Sequence, residues 1–166
     1  MPYAVFDTNS LLGALINKHP FCDALEKLQK VCDRVVISNP IQKEFISKLH
    51  SVGLTIVVFN QKMSELSSMG KIKRLNKTHL LKAKRMIKKQ RLRLPNDKED
   101  HKFIEAAVAS SAGFLVTADN GILILDPYRY NKANSTIRIL SPENYVHDRQ
   151  SSENKCKKTH EAMKLP

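Results

Sequence analysis

Tyr3-Ala4-Val5-Phe6-Asp7-Thr8-Asn9-Ser10-Leu11-Leu12 decides how this 166-residue chain is read. Four apolar residues in an unbroken run predict a strand buried on both faces, since a half-exposed strand would alternate apolar with polar. The run stops at Asp7, and a helical pattern takes over from about residue 11 to 17. In open parallel sheets ligands bind outside the carboxyl ends of the strands, which is where Asp7 then sits. Asp is also a common helix cap. This stretch alone leaves both roles open.

Working outward, a helix is expected over 21–32, and Arg34-Val35-Val36-Ile37-Ser38 reads as a second buried strand. Asn39 and Pro40 then suit the cap and first position of a helix running to about residue 52, with Ile41, Phe45, Ile46 and Leu49 as its apolar face. Residues 55–59 read as a third strand, and 62–74 and 78–91 as helices. Asp97 caps a helix to residue 112, Phe114-Leu115-Val116-Thr117-Ala118 is a strand ending at Asp119, Asn120-Gly121 is a turn, and Ile137-Arg138-Ile139-Leu140 is a last short strand. Strands alternating with helices predict an α/β fold, a three-layer α/β/α sandwich around a central parallel sheet. One domain over 1–146 is expected, with a polar tail over 147–166 that lacks aromatics and should be flexible.

Hydrophobic residues at 42% and charged residues at 27% exclude wholesale disorder. No apolar stretch nears the ~20 residues that span a bilayer, and the N-terminus lacks a signal-peptide layout, so a cytoplasmic protein with no membrane role is expected. Cys22, Cys32 and Cys156 are odd in number and show no C-x-x-C spacing. This argues for reduced thiols, against a disulfide framework and against zinc held by thiolates.

Four carboxylates stand at the edges of apolar elements: Asp7, Glu44, Asp100 and Asp119. Asp100 shares a helical stripe with Ile104, Ala107, Val108 and Ser111, so it faces inward. A first-turn acid is also what a capping arrangement with Asp97 would supply. Glu44 borders the apolar face of its helix, and Asp-Asn-Gly at 119–121 is ordinary turn chemistry as well. Taken together, two of these acids share the carboxyl end of the expected sheet and two lie on bordering helices. Unpaired acids beside buried surface cost free energy, so they point to a shared cation. An all-oxygen ligand set favours Mg²⁺ or Mn²⁺ over zinc, and such ions can activate water against a phosphodiester.

The formal charge of +12 is concentrated between residues 71 and 93. That segment holds Lys71, Lys73, Arg74, Lys77, Lys82, Lys84, Arg85, Lys88, Lys89, Arg91 and Arg93 and no acid. Taking these eleven from the 28 basic residues leaves 17 against 16 acidic ones, so the rest of the chain is nearly neutral. So uneven a charge predicts a polyanionic partner. Leu80, Ala83 and Ile87 form a narrow apolar stripe on which the helix can dock with its cations outward. No aromatic interrupts the run, which favours backbone contact over base stacking. His79 and His101 are candidate acid/base groups: His101 projects off the inward stripe and reads as a surface residue, while His79 opens the basic helix where it could contact phosphate.

As a set, Asp7-Thr8-Asn9-Ser10-Leu11-Leu12, Glu44, the run Asp97-Lys98-Glu99-Asp100-His101-Lys102-Phe103-Ile104-Glu105-Ala106-Ala107 and Leu115-Val116-Thr117-Ala118-Asp119 resemble the PIN-domain nucleases over roughly residues 1–145. The resemblance implies an acidic pocket for Mg²⁺ or Mn²⁺ and endonucleolytic cleavage, most often of RNA. On the matching positions Asp7, Glu44, Asp100 and Asp119 would be the catalytic, metal-coordinating acids, with Asn9 and Thr117 orienting water or a carboxylate behind them. Many members are VapC-type toxins, paired with an antitoxin and dimeric. Gly121 stands where related sequences often carry a further acid, and the basic segment is heavier than a minimal toxin requires. A structure-specific DNA nuclease and a non-catalytic nucleic-acid-binding module are the alternatives. The haloacid dehalogenase pattern is set aside, since it would need a second Asp where this chain has Asn9.

Overall fold

The computed structural model describes residues 2–130 and 135–153. In chain order these form β1 (Tyr3–Phe6), α1 (Thr8–Leu15), α2 (Phe21–Lys30), β2 (Arg34–Ser38), α3 (Asn39–Leu49), α4 (Ile56–Ser68), β3 (Ile72–Leu75), α5 (Lys77–Gln90), α6 (His101–Ser110), β4 (Phe114–Val116), α7 (Asn120–Leu123), β5 (Tyr128–Tyr130), β6 (Ser135–Leu140) and α8 (Pro142–Asp148). The strands make one sheet in the order β3-β2-β1-β4-β6-β5. All neighbours are parallel except β5, which runs antiparallel to β6 at one edge. The expected α/β class holds, with a mixed rather than wholly parallel sheet.

The apolar runs of the strands are divided between two cores by the two-residue period of extended chain. Val5, Val36, Leu115 and Ile139 point to one side, where α5 and α6 contribute Leu80, Ile87, Ile104 and Ala107. Ala4, Phe6, Val35, Ile37 and Val116 point to the other, against Leu12 of α1, Leu28 of α2, Leu66 of α4 and Tyr145 of α8. Both faces are therefore covered, as the unbroken apolar runs required. α1 and α2 meet closely at Gly13, where a Cβ would lie 2.6 Å from Phe21 Cδ2. β1 lies between β2 and β4, so the chain leaves β1 and β4 at neighbouring points on the same rim of the sheet.

Several local expectations are corrected. Residues 55–59 are not a strand: Ile56 and Val57 lie largely exposed at the start of α4, and the helix buries Phe59, Met63 and Leu66 instead. The third strand is Ile72–Leu75, which overlaps the end of the helix expected over 62–74. β3 is an edge strand, where Lys73 and Arg74 are tolerated because one side of it faces no neighbouring strand. Ser38 rather than Asn39 occupies the N-cap position of α3, without a side-chain capping bond, and Pro40 is still in the first turn. The helix expected from 97 begins as a 3-10 turn, Lys98–Asp100, and becomes α-helical at His101. β5 was not expected at all.

Beyond residue 146, where the polar tail was expected, α8 continues to Asp148, and Arg149 reaches fully buried Asp33 through Nε at 2.9 Å and Nη2 at 2.6 Å. Tyr145 donates to the same carboxylate at 2.8 Å. The remainder of the expected tail, 154–166, lies outside the described residues, and so does Cys156. Cys22 is a buried free thiol. Cys32 is disulfide-bonded, which corrects the expectation of three reduced cysteines. Among the described residues no helix is long and apolar enough to cross a membrane.

Candidate metal-binding active site

Asp7 is the first residue past β1, and its backbone N–H extends the sheet by donating to the Val116 carbonyl at 3.0 Å. Its side chain is 4% exposed. Oδ1 accepts from the Ser10 amide at 2.5 Å, so Asp7 caps α1, and Oδ2 accepts from the Thr117 hydroxyl. The cap and the site position are thus the same residue in the same conformation. Thr117 is fully buried, and its hydroxyl oxygen also accepts from the Asp119 amide at 3.0 Å. One threonine therefore bridges the ends of β1 and β4. Asp119 is exposed and caps α7, its Oδ1 accepting from the Gly121 amide at 2.6 Å. A Cβ at Gly121 would lie 3.0 Å from that oxygen, so a larger residue would crowd Asp119.

Asp100 sits half-buried at the entry to α6. Asp97, whose Oδ1 accepts from the Glu99 amide at 2.8 Å, caps the turn before it. Asn9, expected to orient a ligand, is exposed on the first turn of α1. It is Thr8, 1% exposed, that reaches a site acid, donating to Glu44 Oε2 at 2.7 Å. Glu44 is already engaged by two cations, Lys48 at 2.8 Å from Oε1 and Lys102 at 3.0 Å from Oε2. Lys102 is 11% exposed and lies over the Phe103 ring. Thr8 and Lys102 were missed in the sequence, since neither contact has a local spacing signal.

The electrostatics divide the four acids. Burial pushes the Asp7 carboxyl above its ordinary range against the Thr117 and Ser10 hydrogen bonds, and the charge of Asp119 raises it further. Asp100 is raised by burial first, then by Asp119 and Asp97, with Lys102 opposing and Glu44 adding a little. Glu44 goes the other way: burial would raise it, but hydrogen bonds from Lys48, Thr8 and Lys102 outweigh that and hold it below its ordinary value. The charge of Asp119 thus bears on both Asp7 and Asp100, a repulsion that a cation would relieve, whereas Glu44 has its counter-charges in place. No three of the four acids have oxygens all within 4.8 Å of one another. The donor set still fits a hard divalent ion, being all carboxylate oxygen, with two of the four lone-pair sites of Asp7 left over after its hydrogen bonds.

The basic segment divides into structural and free cations. Lys71 donates to the carbonyls of Val31 and Leu28, closing the end of α2, and burial lowers its pKa. Lys73 lies over the Tyr3 ring at 5.6 Å. The other nine, from Arg74 to Arg93, are exposed, with Lys84 3.3 Å from Glu105. α5 buries Leu80, Ala83 and Ile87 as expected. Near its far end a cleft of about 870 Å³ is lined by Arg85, Met86, Lys89, Leu92, Arg129 and Tyr130, none of them a site acid. His79 is exposed, and His101 Nε2 contacts the Pro95 carbonyl at 2.9 Å.

A family model described as the PIN domain matches residues 3–121. The chain belongs to the PIN-domain family. The matched span of this PIN domain runs from β1 into α7, and so takes in all four acids and the whole basic segment, while β5, β6 and α8 lie beyond it. Among solved structures it is similar to the crystal structure of VapBC2 from Rickettsia felis bound to a DNA fragment from their promoter. The two share 17% sequence identity at a TM-score of 0.50, over 84% of this chain and 98% of that one, a likeness of fold alone. No curated protein matches the chain.

Proposed function

We propose that this PIN domain is an endonuclease that hydrolyses phosphodiester bonds, in RNA before DNA, with the aid of Mg²⁺ or Mn²⁺. The observation that carries the proposal is the charge of Asp119 acting on both Asp7 and Asp100, each of which is raised by burial first, near the carboxyl ends of β1 and β4. These three would hold the ion, and Glu44 borders them. When bound, the ion supplies an activated water and charge stabilisation at the scissile phosphate. The chain's own residues do the rest. Thr117 and Ser10 fix the orientation of Asp7, each donating to one of its carboxylate oxygens. Lys48 and Lys102 keep Glu44 ionised, and Thr8 fixes the carboxylate. With Gly121 in place of a further acid and Glu44 already neutralised, a single ion is the expected load. The exposed cations of α5 bind the phosphate backbone.

RNA as substrate rests on the family likeness. The similar structure is of a two-component assembly on DNA, and an antitoxin-like or processing-complex partner, with homodimerisation, is the corresponding proposal for this chain in a cytoplasmic setting. The test is cleavage of RNA, single-stranded DNA and flapped duplex, with Mn²⁺ or chelator, beside Asp7→Asn and Asp119→Asn. RNA cleavage that needs Mn²⁺ and is lost in both variants is expected. Absence of any metal-dependent cutting would sink the nuclease reading in favour of a binding module, and cutting that survives both substitutions would sink the site. Preference for the flapped duplex would make it a DNA nuclease.

A further inference from the structure

His19, Cys22 and Asp23 stand together at the turn between α1 and α2, at the opposite end of α1 from Asp7. Eight helical residues at 1.5 Å each separate the two places by about 12 Å along the axis. The three side chains offer a nitrogen, a sulfur and a carboxylate, and their ligand atoms all lie within 4.8 Å of one another. His19 Nδ1 is 3.5 Å from Cys22 Sγ and 2.9 Å from Asp23 Oδ2, and Cys22 Sγ is 3.9 Å from Asp23 Oδ1. Zinc bonds of about 2.0–2.3 Å in a tetrahedron give ligand-to-ligand edges of roughly 3.3–3.6 Å. The nitrogen–sulfur separation of 3.5 Å already matches such an edge, while Asp23 meets the histidine and the cysteine through different oxygens, so a side-chain rotation that turns one oxygen towards both would complete three of the four corners.

The local sequence explains why these groups converge. Cys22 and Asp23 occupy the first turn of α2, which no side chain caps, and His19 immediately precedes the cap residue Pro20. The positive end of a helix favours anions, so a metal-bound thiolate and carboxylate suit this place. Together they would balance a divalent charge, with His19 as the neutral ligand. Cys22 is 9% exposed while His19 stands out in solvent, so one side of the group is closed by protein and the other is open to water. A mixed sulfur, nitrogen and oxygen set is the chemistry of zinc and its neighbours and not of Mg²⁺.

The geometry points to a second metal centre, a zinc site formed by His19, Cys22 and Asp23 with water as the fourth ligand, separate from the acid pocket. It departs from the expectation against thiolate zinc, which rested on the lack of paired cysteines. Its effect is to pin the turn between α1 and α2. The experiment titrates the metal-free full chain with Co²⁺, in excess Mg²⁺ to occupy the acid pocket, and then with Zn²⁺. One equivalent of Co²⁺ is expected to give a thiolate-to-metal charge-transfer band and the strong visible bands of tetrahedral cobalt, both displaced by Zn²⁺. Cys22→Ser should abolish the charge-transfer band, and His19→Ala should weaken Co²⁺ binding by more than about tenfold, with circular dichroism unchanged in each. No thiolate band in the parent protein overturns the proposal. So does a band that survives Cys22→Ser, or an affinity unchanged in His19→Ala. Nuclease activity, if present, should not change in either variant, so the outcome is independent of the acid pocket.

Discussion

Thr117 carries more of the candidate site than its size suggests, because one hydroxyl serves both strand ends. Thr117→Val keeps the β-branched shape but removes the donor to buried Asp7, which should cost about 1–3 kcal/mol in urea unfolding of the metal-free protein. The pH dependence follows from Asp7 and Asp100, whose folded carboxyls lie above the ordinary value of 3.8. A raised acid binds more protons folded than unfolded, so each lowers stability as pH rises from 3.8 through its folded value. Asp100→Asn in chelator should therefore be more stable than the parent at pH 7, with the gap closing towards pH 3.8. With Mn²⁺ the order should reverse, since the parent gains ligand stabilisation that the variant lacks; an equal melting shift in both would remove Asp100 from the ligand set. The places of Asp7 and Asp119 at strand ends were legible because each follows a buried apolar run, while Asp100 was placed from helical spacing. Glu44 rested on family likeness, and its two lysine partners come from contacts between elements that no local pattern encodes.

At the scale of elements, α4 and β3 show where pattern reading fails. Ile56-Val57-Val58-Phe59 has the β-branched composition of a strand, yet tertiary packing selects Phe59, Met63 and Leu66 at helical spacing and leaves the first three residues exposed. β3 carries two cations in four residues, which hides an edge strand inside a basic run, and β5 is only three residues long. The long apolar runs of β1, β2 and β4 and the stripes of α3 and α5 were read correctly because burial dominates them; of the stripe expected for α6, Ile104, Ala107 and Val108 are buried, whereas Asp100 precedes the helix and Ser111 is exposed past its end. The segment after α8 is fixed by a charge, not by apolar pattern. Arg149→Ala should leave Asp33 buried without its cation and cost about 3–5 kcal/mol, measured by denaturant unfolding. Arg149→Lys should recover only part of it, lacking the two-pronged contact.

For the whole molecule, the excess charge lies on one edge strand and one outward helix face, while the acids occupy the carboxyl rim. If the α5 face holds single-stranded nucleic acid, replacing Lys82, Arg85 and Lys89 with Ala should reduce the slope of log affinity against log salt by about 2, with little effect on melting temperature. An unchanged slope would mean that the strand runs elsewhere. The same layout has a consequence for handling the protein alone. β3 ends the sheet among the described residues, and repulsion between Lys73 and Arg74 on one copy and those on another would keep two such edges apart. High salt screens that repulsion over about 3 Å at 1 M, so conditions chosen to strip bound polyanion would also favour edge-to-edge self-association, and solubility should pass through a maximum at intermediate ionic strength.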